Sequence, residues 1–171
     1  MQLHLNYLKL ELKVKLIKFS LNNYRLIRSD NIILVYYKMK KERNKNPIQP
    51  VSGTKVPRYA GPNTFARLPE LRDVESCDVA IVGVPFDSGT SYRPGARFGP
   101  QSIRQASRHL RTNYHPNYDV EPFKIQQVAD AGDIACNPFN IDEAIKQIEI
   151  GATELLSKVG GIIWFRWRSY Y

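Results

Sequence analysis

The chain is 171 residues long, enough for one domain with a sizeable core, and its formal net charge is +9. The charge sits at one end: residues 1–50 hold eleven Lys and Arg against three Asp and Glu, whereas residues 51–171 hold fourteen against thirteen. A nearly neutral globular part lacks the basic, aromatic-laced face of a nucleic-acid binder, no apolar run reaches the roughly 18 residues of a transmembrane helix, and Cys77 and Cys136 form no CxxC pair that would suggest zinc or redox chemistry.

Residues 1–38 differ in kind from the remainder of the chain. They contain no Gly, Ala or Pro, and 27 of the 38 are Leu, Lys, Asn, Tyr, Ile or Phe, the residue set of A/T-rich codons. Leu8, Leu10, Leu12, Val14 and Leu16 alternate with Lys9, Glu11, Lys13 and Lys15, a period of two that reads as a half-buried strand. The same charges interrupt the only candidate for a secretory signal. The reading preferred on composition is that translation begins at Met39 and that residues 1–38 are a non-native upstream segment. A transit peptide and a genuine extension are the alternatives, the first weakened by a Lys-rich rather than Arg- and Ser-rich make-up. Residues 39–55, charged and Pro-bearing, are expected to be a disordered lead-in.

From Val56 to Leu71 the prolines Pro57, Pro62 and Pro69 forbid a long helix. An irregular arm across a surface, anchored by Tyr59, Phe65 and Leu68, is expected. Asp78–Leu110 organises the rest. Val79-Ala80-Ile81-Val82-Gly83-Val84 reads as a buried parallel strand that Pro85 ends. A loop over residues 85–98 follows, with Gly89, Pro94 and Gly95 as turn residues. A helix then opens at Gly99-Pro100 and is expected to bury Ile103, Ala106 and Leu110. Loops at the carboxyl ends of strands line the ligand crevice of open α/β sheets, so this loop is the candidate rim.

After a connection through Pro116 and Pro122, Ile125–Ile134 supplies a second strand around Val128, ended by an Asp-Ala-Gly-Asp turn. Asp130 and Asp133 could serve acid/base or metal work, but turn stabilisation is the commoner use of such a pair. His115 has no second metal ligand at useful spacing, and His109 is expected within the helix, packed or half-exposed. Asn140 caps a second helix, with Glu143 completing a capping box. Its apolar face runs Ile141, Ala144, Ile145, Ile148, Ala152, Leu155, Leu156 and Val159, and Gly160 supplies the stop. Gly161-Ile162-Ile163 begins a third strand. The βαβα order predicts a right-handed parallel sheet, and three strands leave its edges open.

The stretch G-V-P-F-D-S-G-T-S-Y-R-P-G-A-R-F-G-P-Q-S-I-R, with VPRYAGPNTFARLPEL before it and ADAGDIACNPFN after it, resembles the ureohydrolase (arginase/agmatinase) family, in its agmatinase-like branch. The likeness runs from about Val56 to Gly161. It implies the N-terminal part of an open, mostly parallel three-layer α/β/α sheet of arginase-like fold, here truncated, with residues 56–163 as the ureohydrolase portion and 164–171 as an aberrant tail. It further implies hydrolysis of a small guanidino substrate to urea and an amine by two Mn2+, a homo-oligomer in full-length form, and an intracellular site, cytoplasmic or mitochondrial. Neither nucleic acid nor membrane is an expected partner.

The family's metal ligands come from a Gly-Gly-Asp-His motif on the third strand, an Asp-Ala-His-x-Asp and a late Asp-x-Asp, and this sequence carries none of the three. Where the first belongs it reads Trp164-Phe165-Arg166-Trp167-Arg168-Ser169-Tyr170-Tyr171. No residue is therefore assigned a catalytic, metal or substrate-binding role, no manganese is expected to bind this chain, and the chain alone is expected to be inactive. A non-catalytic subunit assembling with a full-length relative is the alternative. Asp87, Arg93, Arg97 and Arg104 are the candidate rim or structural residues. Arg97 is expected to tie the loop through its fork of donors, Arg104 to do similar work from the helix, and Asp87 to cap the loop or attract a cationic amine.

Overall fold

The computed structural model of the protein describes residues 24–29, 32–37, 46–90, 93–111 and 113–165. Five strands form one sheet: β1 (Tyr24–Ser29), β2 (Ile32–Tyr37), β3 (Val79–Gly83), β4 (Val128–Asp133) and β5 (Gly161–Phe165). Three helices accompany them: α1 (Gly99–Ser107), the single turn α2 (Pro122–Ile125) and α3 (Ile141–Lys158). The strand order is β1-β2-β5-β3-β4.

β3 lies parallel to both β4 and β5, as the sequence predicts, and all five of its residues are buried. Such a strand can alternate between two apolar faces. Ala80 and Val82 pack with Ala129, Ile162, Ala152, Leu156 and Val159 on the α3 side. Val79 and Ile81 pack with Val128, Ala66 and Leu68 on the other, where Phe65 and Ile103 also contribute. The result is three layers, with α3 on one face and α1 plus the arm on the other. Placing successive crossover helices on opposite faces is what right-handed connections require when the chain steps first to one side of β3 and then to the other.

The open edges expected of this parallel core hold only in part, with one contact point at β4 and full pairing at β5. At β4, the arm comes alongside: Asp130 N–H donates to Pro69 O at 2.9 Å and Glu70 bridges Asp130. At β5, the β1–β2 hairpin adds antiparallel pairing along the whole strand, from Ile32 opposite Phe165 to Tyr36 opposite Gly161. The alternating Leu8–Leu16 run lies outside the described residues. So do residues 166–171 of the tail, but its first two residues belong to β5, and Trp164 is half-buried against the α3-side core.

Several local expectations need correction. The lead-in is pinned from Ile48 onward: Ile48 N–H donates to Gln127 Oε1 at 2.7 Å and Val51 N–H to Arg67 O at 3.0 Å. The arm packs on its own domain through Leu68, while Tyr59 is 88% exposed and anchors nothing there. On α1 the apolar spacing misleads, because the helix ends at Ser107 and buries Pro100, Arg104 and Ser107, leaving Ala106 and Leu110 exposed. The Asp-Ala-Gly-Asp segment is the end of β4 rather than a turn beyond it, with the register against β3 shifting between Ile81 and Gly83.

Asn140 caps α3 as expected, its Oδ1 accepting from the Asp142 and Glu143 amides at 3.1 Å. Such a cap stabilises by about 1 kcal/mol. The Glu143 carboxylate does not complete the box and accepts instead from Asn137 Nδ2 at 2.7 Å. Gly160 lies beyond the helix end, where the need is for room: an added Cβ would come within 2.7 Å of Asp78 O.

Candidate functional site

The chain steps from β3 to β4 and then back across to β5, so the strand order reverses beside β3, the place where an open α/β sheet forms its crevice at the carboxyl ends of its strands. The loop after β3 borders it, and a buried carboxylate shapes that loop. Asp87, its side chain 1% exposed, accepts at Oδ1 from Arg97 Nε at 2.7 Å and Nη2 at 2.6 Å. Its Oδ2 accepts from the Gly95 and Arg97 amides at 2.7 and 3.3 Å. Two short bonds at one oxygen and two backbone donors at the other leave no acceptor site for a ligand amine, so the geometry favours loop closure over attraction of a cation. Arg93 lies exposed on the same loop. The loop is also tied to the segment after β4, where Ser88 Oγ donates to Pro138 O.

The Arg97 hydrogen bond holds Asp87 below the ordinary carboxylate range, against the opposing effect of burial, with the Gly95 and Arg97 amides adding to it. A depressed folded-state pKa contributes stability above the unfolded value of about 3.9, and that contribution is lost as pH falls through the folded value. The loop is therefore expected to stay ordered at pH 5 and to loosen progressively below about pH 4. Amide exchange at Gly95 and Arg97, followed from pH 5 downward against intrinsic rates, checks this.

Arg104 is the second organising residue, and the sequence does not reveal its partners. From the buried side of α1 its Nε and Nη2 reach Asp130 Oδ2 and Oδ1 at 2.8 and 2.9 Å, a fork-to-fork pair. Nη1 reaches Asp133 Oδ1 at 2.6 Å, and Nη2 also donates to Gly132 O at 2.7 Å. Burial alone would lower the Arg104 pKa, but the bonds to Asp130 and Asp133 outweigh it and hold the guanidinium above its ordinary value. Asp130 gathers two more donors, Phe65 N–H at 2.7 Å and Gly132 N–H at 2.8 Å. One carboxylate thus joins α1, the arm and the bulged end of β4. Asp87 with Arg97, and Arg104 with Asp130 and Asp133, form separate clusters; neither presents an unengaged base.

Gly83 makes the second cluster possible, standing at the end of β3 where Asp133 and Pro100 close in. The remaining candidates lie apart from both. His115 stacks obliquely on Tyr118 at a ring separation of 4.9 Å, and His109 is exposed just past α1. Burial pushes the Cys77 thiol up to about 11, and Cys136 is raised by the same cause. Both are free thiols. Among the described residues no group of three or more His, Cys, Asp or Glu is placed to hold a metal ion. Among them, too, no helix is long and apolar enough to cross a membrane.

Residues 77–165 match the Arginase family. Over 109 residues the chain is 44% identical to the guanidinobutyrase of Pseudomonas aeruginosa, which covers 62% of this chain and 34% of that protein. It is 43% identical over 101 residues to the mitochondrial guanidino acid hydrolase of Homo sapiens, covering 59% of this chain and 28% of that one. Among solved structures, the proclavaminate amidino hydrolase of Streptomyces clavuligerus superposes with a TM-score of 0.55 at 41% identity, covering 60% of this chain and 34% of that chain. This chain spans about a third of the length of such relatives.

Proposed function

The chain belongs to the arginase family, and from that premise we propose that it is the first-strands-and-rim portion of an agmatinase-like amidinohydrolase. Such an enzyme adds water to a guanidino carbon and breaks the C–N bond to the alkyl amine; the water's oxygen stays in urea, and the amine leaves with a proton. The observation that carries the reading is the match to guanidino hydrolases over the segment that builds the parallel core and its rim loop. In this reading the chain's own residues keep the loop over 85–98 closed beside the crevice through Asp87 and Arg97, and lock α1 to β4 through Arg104.

Two manganese ions would supply a water acidic enough to attack a resonance-stabilised carbon. The residues present do not fit such a pair. Holding two divalent ions takes several convergent carboxylates and imidazoles, and the carboxylates nearest the rim are engaged: Asp87 by Arg97, and Asp130 and Asp133 by Arg104. We therefore assign no step of turnover to this chain alone.

Two assays test the proposal. The purified 171-residue chain, given Mn2+ and either agmatine or 4-guanidinobutyrate, is expected to release no urea, and urea above the protein-free rate would overturn its inactivity. A chimera in which residues 56–161 replace the matching segment of the Pseudomonas guanidinobutyrase is expected to release urea. A folded, manganese-loaded chimera without activity would overturn the family-level reading.

A further inference from the structure

A second pair of arginines, one within the arm and one at the end of α1, is not used by the rim. Arg67 is 3% exposed, and its Nε and Nη1 are buried without a hydrogen-bond partner. Its one bond runs from Nη2 to Val56 O at 2.9 Å. Arg108, half-buried at the end of α1, has a buried Nε with no partner and donates from Nη2 to Ala60 O at 2.8 Å. The two side chains converge on one stretch of arm. Ala66 N–H bonds Ser107 Oγ at 2.7 Å, which brings the residues preceding each arginine together. A Cβ on Gly61 would stand 3.0 Å from Arg67 Nη2, one residue beyond the carbonyl that Arg108 holds.

None of the ion pairs among the described residues includes either guanidinium. A charge enclosed with donors unmet is strongly disfavoured, and a guanidinium cannot relieve the cost by losing its proton. The backbone adds a second observation. Ala66 and Arg67 both sit in the left-handed region, at φ 49° and 60°, which side-chain-bearing residues rarely adopt. The Phe65, Ala66 and Arg67 amides are all bonded, to Asp130, Ser107 and Thr64, so the strained turn is held from several sides. Strain maintained in this way, with an unpaired cation at its centre, is the pattern of a ligand clamp.

We propose that Arg67 and Arg108 form an oxyanion-binding site under the arm, taking a carboxylate or phosphate that supplies the missing acceptors. The planar fork of Arg67 suits two oxygens of one ligand, and Arg108 adds a second positive group. Because the unmet donors are enclosed, the ligand enters as the arm over residues 56–61 lifts, and its binding ties the arm to α1. The same oxygens could come from a free anion or from an Asp or Glu side chain of a second polypeptide.

The test uses the full chain. Inorganic phosphate and acetate are titrated calorimetrically at constant ionic strength set by sodium chloride, and sedimentation is measured in chloride alone over a range of protein concentrations. A free oxyanion gives saturable binding of one equivalent, abolished in Arg67→Met and weakened about tenfold in Arg67→Lys, which keeps the charge and loses the fork. A side-chain carboxylate from a second chain gives instead an association in chloride that Arg67→Met removes. Arg108→Met provides an independent variant, expected to weaken either behaviour without abolishing it. The proposal is overturned if the wild-type chain binds neither anion and does not associate, or if Arg67→Met matches the wild type in both measurements.

Discussion

Arg104→Ala is expected to be the most damaging single substitution in the described domain. It removes the guanidinium from a carboxylate that is 2% exposed and leaves Asp130 buried with only amide donors. Removing one partner of a buried pair typically costs about 3–5 kcal/mol, because the survivor keeps its desolvation penalty without its counter-charge. Urea denaturation followed by tryptophan fluorescence would show the loss as a lower midpoint at unchanged slope. Replacing both members, as in Arg104→Met with Asp130→Leu, is expected to cost less than Arg104→Ala alone, since no charge is stranded. A double variant as unstable as the sum of its parts would show instead that the network's hydrogen bonds to Phe65 and Gly132 dominate.

Gly83→Ala is expected to come next. The added methyl would overlap the Asp133 carboxylate and lie 2.6 Å from Pro100 Cβ. Asp133 could swing aside only by giving up Arg104, and Pro100 is held in the first turn of α1. Asp133 is thus a side-chain end tied down by Arg104, and Pro100 is a ring fixed in the helix. Overpacking usually costs about 1–3 kcal/mol, and this site belongs at or above the top of that range, because relief at one contact breaks the buried network at another. A midpoint within error of the wild type would mean that the end of β3 is looser than the contacts around Gly83 imply.

The parallel core is legible in the sequence because its signals are local. An apolar run bounded by Pro85, a proline in the first turn of α1, and Asn140 ahead of a broad apolar face each act within a few residues. The polar clusters are not legible in this way. Nothing in the spacing of Arg104, Asp130 and Asp133 shows that a helix and the next strand will bring them within hydrogen-bond reach, since that depends on the crossover between them. The same gap explains α1: the period-3.6 rule assumes that the buried face is apolar, yet here it is built from Pro100, Arg104 and Ser107. Arg67 escapes notice because a buried arginine inside an irregular, proline-rich arm has no periodic context at all. Asp87 and Arg97 can be singled out as rim residues, but their mutual bond emerges only once the loop is folded.

The antiparallel hairpin on β5 has a bearing on how the molecule would associate. Loss of β1 and β2 together would bare a row of amides and carbonyls along Gly161–Phe165. That seam is short and apolar, with Arg166 and Arg168 following it directly in sequence. A chain without those strands would therefore borrow one from whichever neighbour offered it, and so seed assembly.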